Sequence, residues 1–190
     1  VVEEGRLASM LAVLPQTLTL PGGGTASGWY IYALATDPGA RSKGYGRQLL
    51  RFVDGYLAER GADCVTTVPA EPSLFKFFGT VGFAPCFSTR KLELLKSMLQ
   101  PAAEGDRAEP VEPGEYNAIR RRLLEGAPAV DYPEELIRYQ QGMGRLSGGG
   151  LYRLSVDGGE GCAAAEYTDG ARVLFNELLL LSLIHIPSPR

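Results

Sequence analysis

The sequence predicts a mixed α and β (α+β) fold, and three observations carry that reading. One segment, Arg47 to Arg60, has clean helical periodicity among runs that are apolar and β-prone. A strand-like run on each side of it, WYIYALAT before and CVTTV after, makes a βαβ unit with a right-handed crossover. The second half of the chain alternates in another order, with two helical stretches followed by three strand-like runs.

The chain begins as though inside a hairpin, with Glu4 and Gly5 at the turn, and Leu7 to Leu20 continues as an apolar β-prone stretch. PGGGTASG, from Pro21 to Gly28, reads as a flexible turn, and Trp29 to Thr36 as a buried strand closed by Asp37 and Pro38. From Arg47 onward, Leu49, Leu50, Val53, Tyr56 and Leu57 fall on one helical stripe that Gly61 can end. Cys64 to Val68 is short, β-branched and stopped by Pro69. Pro72 suits the first turn of a shorter helix with Leu74, Phe75, Phe78 and Val81 on its buried side and Gly82 as its stop. FAPCFSTRKLEL then reads as strand. Residues 97–114 have the prolines, alanines and charges of a linker, which sets a first domain at 1–96. Beyond it, Tyr116 to Leu124 and Pro133 to Leu146 read as helices, Gly148 to Gly150 as a flexible connector, and LYRLSV, CAAAEY and VLFNELLL as strands joined by turns at DGGEG and TDG.

Composition narrows the function. The 190 residues are 45% hydrophobic, enough for a real core, and the net charge of −3 gives no support to a nucleic-acid surface. Mild acidity, with a pI near 5.3, suits a cationic small molecule. The three cysteines, Cys64, Cys86 and Cys162, are too scattered for a disulfide framework or a zinc site, so no metal is expected and a reducing, cytoplasmic setting is the simplest. No apolar run is long enough to insert in a membrane. LSLIHIPSPR, residues 181–190, reads as a non-native, adaptor-derived tail, and the chain's sole histidine, His185, lies in it.

The chemistry concentrates in DPGARSKGYGRQLLRF, from Asp37 to Phe52. A strand, then Arg-x-x-Gly-x-Gly, then a helix aims unpaired backbone N–H groups from the positive end of a helix dipole, where anions bind. Gly44 and Gly46 let the main chain approach a phosphate, and Arg41, Lys43 and Arg47 add positive charge. The spacing is neither that of a Walker A loop nor the GxGxxG dinucleotide fingerprint.

Arg41, Ser42, Lys43, Gly44, Tyr45 and Gly46, with ALATDP before them, RQLLRFVDGYLAERG after them and the later VPAEPSLFKFFGTVGF, resemble the GNAT superfamily of acyl-CoA-dependent N-acyltransferases. The resemblance spans about Val1 to Leu95. It implies a mostly antiparallel central sheet, with the βαβ unit holding acetyl-CoA. Leu34, Ala35 and Thr36 would hold the pantetheine arm through their backbone, Ser42 to Gly46 (with Tyr45 between the glycines) the pyrophosphate, and Arg41 and Lys43 would supply charge. It further implies transfer of an acetyl group to a primary amine, on a small molecule or a peptide, by direct attack in a ternary complex. The family often places a tyrosine acid four residues before the glycine of its Gly-Phe pair, and here that position is Phe78, which has no proton to give. Glu71 is the carboxylate nearest the expected channel, either as a base or as a helix-start carboxylate. The alternative to an enzyme is a catalytically degenerate, regulatory CoA-binding module. Residues 115–180 follow the element order of the N-terminal half of a second such domain, so the chain reads as an internal fragment of a tandem protein, truncated at both ends.

Three features have plainer readings. Arg120, Arg121 and Arg122 read as a solvated helix face, Cys64 as a buried inert thiol, and Phe78 as core.

Overall fold

The computed structural model describes residues 1–88, 92–168 and 172–180. The chain divides into two compact units, one of Val1–Leu20 with Gly24–Glu93, the other of Pro21–Gly23 with the chain from Leu94 onward.

In the first unit β1 (Val2–Glu3) and β2 (Arg6–Leu7) form a small antiparallel hairpin, turned by Glu4 at φ 47° and Gly5 at φ 76°. The long strands β3 (Ser9–Thr19) and β4 (Thr25–Thr36) pair antiparallel from Ser9↔Thr36 to Thr19↔Thr25. Between Met10↔Ala35 and Ala12↔Tyr32 the register shifts by one residue on β4, a bulge that puts Ala33 at φ 54°. Helix α1 (Tyr45–Ala58) follows and then β5 (Cys64–Thr66), which lies parallel to β4 through Gly28↔Cys64, Trp29↔Val65 and Tyr30↔Thr66. The expected βαβ unit is therefore present. Helix α2 (Pro72–Gly79) carries its proline in the first turn, and Gly82 at φ 98° ends the chain reversal behind it.

One core cluster binds these elements. Ile31 of β4, Leu50 of α1 and Phe78 of α2 are buried together, with Leu11, Val13, Leu34, Val65, Leu74, Phe77, Val81 and Phe83 packed on them. Several expectations shift here. β4 is only half-buried, because Ile31 faces the helices while Tyr32 on the other face is exposed. Phe77, not Phe75, joins the core from α2, and Phe75 is exposed. The segment FAPCFSTRKLEL forms no strand over its described residues: Phe83 folds back so that its N–H bonds the Phe78 carbonyl at 3.2 Å, and Pro85 has no N–H for a ladder. Residues 89–91 of that run lie outside the described residues.

The second unit holds β6 (Arg107–Pro110), α3 (Pro113–Leu123), the short β7 (Ala129–Asp131), α4 (Glu134–Leu146), β8 (Gly150–Val156), β9 (Gly159–Thr168) and β10 (Arg172–Leu180). Four of its strands form an antiparallel sheet in the order β10-β9-β8-β6. Within the linker-like stretch 97–114, then, Arg107–Pro110 pairs as a strand with β8, and Pro113 already opens α3. Tyr116, Ile119 and Leu123 of α3 and Ile137 of α4 cover Leu151, Cys162 and Ala164 of the sheet.

Two plain readings are corrected in this unit. Gly148–Gly150 is no flexible connector: the Gly149 N–H bonds the Gly144 carbonyl at 2.8 Å to end α4, and a Cβ on Gly149 would fall 2.0 Å from the Ala165 carbonyl oxygen. Arg120 is not solvated but buried, on the same face of α3 as Tyr116 and Leu123. Its Nε donates to both oxygens of Glu177, at 3.0 and 2.9 Å, and Tyr116 donates its hydroxyl to the same carboxylate at 2.7 Å. Arg121 and Arg122 lie outward and pair with Asp131 and Glu160. The tail 181–190, with His185, and residues 169–171 of the last turn lie outside the described residues.

Candidate functional site

β4 outruns its neighbour. Its pairing with β5 ends at Tyr30↔Thr66, yet β4 continues to Thr36, so among the described residues the edge beyond Tyr30 has no strand partner on that side. Thr67 Oγ1 donates to the Ile31 carbonyl at 3.3 Å where the two chains part. The strand stops at Asp37, whose carboxylate accepts the Gly39 N–H at 2.8 Å and caps a 3-10 turn over Pro38–Ala40.

The glycine turn then delivers the chain into α1. Ser42 sits at φ 66° and Gly44 at φ 83°, both left-handed, and Gly44 is the N-cap of the helix without any side-chain cap. The first turn of α1 contains no acidic residue. Its unpaired N–H groups are thus free of the internal carboxylate that commonly satisfies them.

These pieces enclose a cavity of about 460 Å³ lined by Thr36, Ala40, Arg41, Ser42, Gly44, Tyr45, Gly46, Arg47 and Phe77. A Cβ on Gly46 would point toward Phe77 Cζ at 3.6 Å and Thr36 Oγ1 at 3.7 Å, across two of the lining residues. Arg41 Nε leans toward the Thr36 carbonyl at 3.5 Å, and Arg47 Nη2 reaches Thr80 Oγ1 at 3.3 Å.

Of the residues the sequence singled out, Thr36, Arg41, Ser42, Gly44, Tyr45 and Gly46 meet around this cavity. Leu34 instead turns its side chain into the core, and the Ala35 carbonyl accepts Ser9 Oγ at 3.0 Å. Lys43 does not line the cavity: its ammonium lies 2.8 Å from Glu3 Oε1 and 2.9 Å from Oε2. Tyr45 donates its hydroxyl to the same carboxylate. The Lys43 hydrogen bond, followed by that of Tyr45, holds Glu3 below the usual carboxylate range, and Glu3 in turn raises both partners.

Glu71 is the N-cap of α2, exposed, and accepts Ser73 Oγ at 3.3 Å; it is not among the lining residues. Phe78 is only 6% exposed, with its ring edge-on to Phe77 and Phe83 at 5.3 and 5.4 Å. Phe77, beside it, is the ring that reaches the cavity. Sequence reasoning missed Phe77, Ala40 and Glu3. The Asp-Pro of the 3-10 turn was a signal for Ala40, whereas nothing local marks Glu3, 40 residues from Lys43. Among the described residues no cluster of His, Cys, Asp and Glu is placed to hold a metal, and no helix is long and apolar enough to cross a membrane.

A βαβ unit with a left-handed glycine turn at the helix head and a β4 edge that continues past β5 defines the first unit as an α+β fold with its cavity at the head of α1. Residues 1–85 match the family described as Acetyltransferase (GNAT) domain, and the first unit is a GNAT-like domain. A solved structure agrees on the fold. Eis1 from Mycobacterium abscessus is 16% identical with a TM-score of 0.62, over 95% of this chain and 48% of that one. A mutant BH1408 protein from Bacillus halodurans is 22% identical with a TM-score of 0.45, over 50% of this chain and 62% of that one. An acetyltransferase of Trypanosoma brucei is 21% identical with a TM-score of 0.39, over 47% and 61%. The chain thus spans from about half to under two thirds of the length of these structures. No curated protein matches it.

Proposed function

We propose that the first unit binds acetyl-CoA and serves a cytoplasmic N-acetyltransferase that acetylates a primary amine, on a small molecule or a peptide, by direct attack in a ternary complex. One observation carries the reading: Arg41, Ser42, Gly44, Gly46 and Arg47 surround a single cavity at the head of α1, beside the unpaired edge of β4. The fit is good, because the turn's backbone is bare of Cβ atoms at Gly44 and Gly46 and the first turn of α1 carries no acidic residue of its own.

Acetyl-CoA, when bound, supplies an acetyl group activated as a thioester. The protein's own residues do the rest of the holding. The amides of Ser42 to Gly46 receive phosphate oxygens, Arg41 and Arg47 neutralise their charge, and the β4 edge from Leu34 to Thr36 offers main-chain groups to the pantetheine amides. Phe77 forms an apolar part of the cavity wall.

A second reading, a CoA-binding module without turnover, is favoured by Phe78. The position where the family carries a proton donor is filled by a phenyl ring packed in the core. Residues 115–180, with β6 and the head of α3 just before them, we read as the first half of a second domain of the same kind, on the order β6, α3, α4, β8, β9, β10.

Titration calorimetry with acetyl-CoA and CoA, followed by thiol release over an amine panel, separates the two readings. Micromolar binding with thiol release supports the enzyme, binding without release supports the module, and no binding contradicts both. Phe78→Tyr should raise the rate of thiol release with little change in CoA affinity, at a stability cost of about 1–3 kcal/mol for a hydroxyl buried among Phe77 and Phe83. An unchanged rate would count against a missing proton donor.

A further inference from the structure

Glu3 places a rival anion at the mouth of the glycine turn. It lies on β1, 40 residues before Lys43, yet its carboxylate takes both Lys43 and Tyr45, the two residues that flank Gly44. One carboxylate therefore grips the turn on each side of Gly44. The electrostatic consequence is specific. Arg41 and Arg47 line the cavity, whereas the third cation of the turn, Lys43, is neutralised by Glu3.

We propose that Glu3 is a counter-ion gate on this turn: it holds Lys43 in the free protein, and phosphate oxygens entering the cavity take Lys43 over from it. The inference rests on the coenzyme A reading above. Glu3 lowers affinity for the anion by two effects of one sign, since it repels incoming negative charge and occupies a cation. Its opposing contribution is to order the turn through Tyr45. An amide oxygen at the same place accepts the same phenol proton, so Glu3→Gln removes the charge and keeps the anchor. Because Lys43 and Glu3 are 48% and 33% exposed, the effect is modest and salt-sensitive.

The test is calorimetric titration of the full chain with CoA and with inorganic pyrophosphate, for the wild type, Glu3→Gln, Glu3→Asp, Lys43→Gln and the Glu3→Gln/Lys43→Gln double variant. Glu3→Gln is expected to tighten CoA binding about two- to fivefold at about 0.1 M salt, with the gain fading toward about 1 M. Glu3→Asp should return affinity toward the wild type, and the gain should shrink when Lys43→Gln is already present. A purely structural Glu3 would instead weaken binding at every salt concentration. Wild-type binding with no gain in Glu3→Gln, or a gain of full size without Lys43, overturns the gate alone. Failure of both wild type and Glu3→Gln to bind either probe overturns the gate and the coenzyme A reading together. If Glu3→Gln does not fold, Lys43→Gln on its exposed turn decides: weaker CoA binding supports the exchange and unchanged binding overturns it.

Discussion

Gly44 and Gly46 serve the turn for different reasons, and their substitutions should separate. Gly44 needs its glycine for conformation: it stands at φ 83° with nothing within 4 Å of where a Cβ would be. Gly44→Ala should therefore cost about 1 kcal/mol of stability, measured by urea denaturation, with no steric clash behind it. Gly46 has an ordinary helical backbone, and a Cβ there would already be in van der Waals contact with Phe77 and Thr36. Gly46→Ala should fold as well as the wild type, whereas Gly46→Val should crowd Phe77 and Thr36 and lose CoA affinity by about tenfold, because a branched side chain enters the cavity. At this scale the sequence was legible wherever a residue acts through its own backbone or its immediate neighbours. Arg41, Ser42, Gly44 and Gly46 were readable for that reason. The pairing of Lys43 was not legible because its partner, Glu3, is remote in sequence, and Arg120 was misread because three successive arginines point in three directions and only one of them finds Glu177.

Among the elements, the unit that positions the site is β4 with its bulge. The extra residue at Ala33 re-aims the strand just beyond where β5 stops pairing, so that among the described residues Leu34 to Thr36 form an open edge leading to the turn. The helix stripe of α1 and the βαβ order were visible in the sequence, since periodicity reports burial directly: Leu50, Val53 and Leu57 are the buried residues of α1. The bulge was not visible, because Ala-Leu-Ala carries no turn chemistry and the left-handed Ala33 is imposed by pairing with β3. The same limit explains Gly148 to Gly150. Their composition says flexibility, but close approach to Ala165 makes them a tight backbone contact. In α3 the buried Arg120–Glu177 pair makes a strong demand. Arg120→Met should cost about 3–5 kcal/mol, since it leaves Glu177, only 22% exposed, with one hydrogen bond from Tyr116. Equal destabilisation by Arg121→Met, whose own side chain is exposed, would contradict this ranking.

At the scale of the whole molecule, the second unit sets an alkaline limit on stability. Burial pushes the Cys162 thiol up to about 12, and burial followed by the Glu177 charge raises Tyr116 as well. Both groups are raised in the folded state, so the stability they contribute is full below their unfolded values, near 8.5 for a thiol and 10 for a phenol, and is lost as pH rises beyond these. Urea midpoints should fall between about pH 8.5 and 11, and Cys162→Ala should flatten the lower part of that decline. A midpoint that holds constant to pH 11 would mean that the cluster of Tyr116, Arg120, Cys162 and Glu177 is open to water.

The central claim, that the turn between β4 and α1 grips the phosphates of coenzyme A, is tested most directly by following backbone amide shifts while CoA is added to the labelled chain. The account predicts the largest changes at Ser42 to Arg47 and at Thr36, with smaller ones along Leu34 and Ala35. Changes centred on the second unit, or none at the turn at saturating CoA, would contradict it.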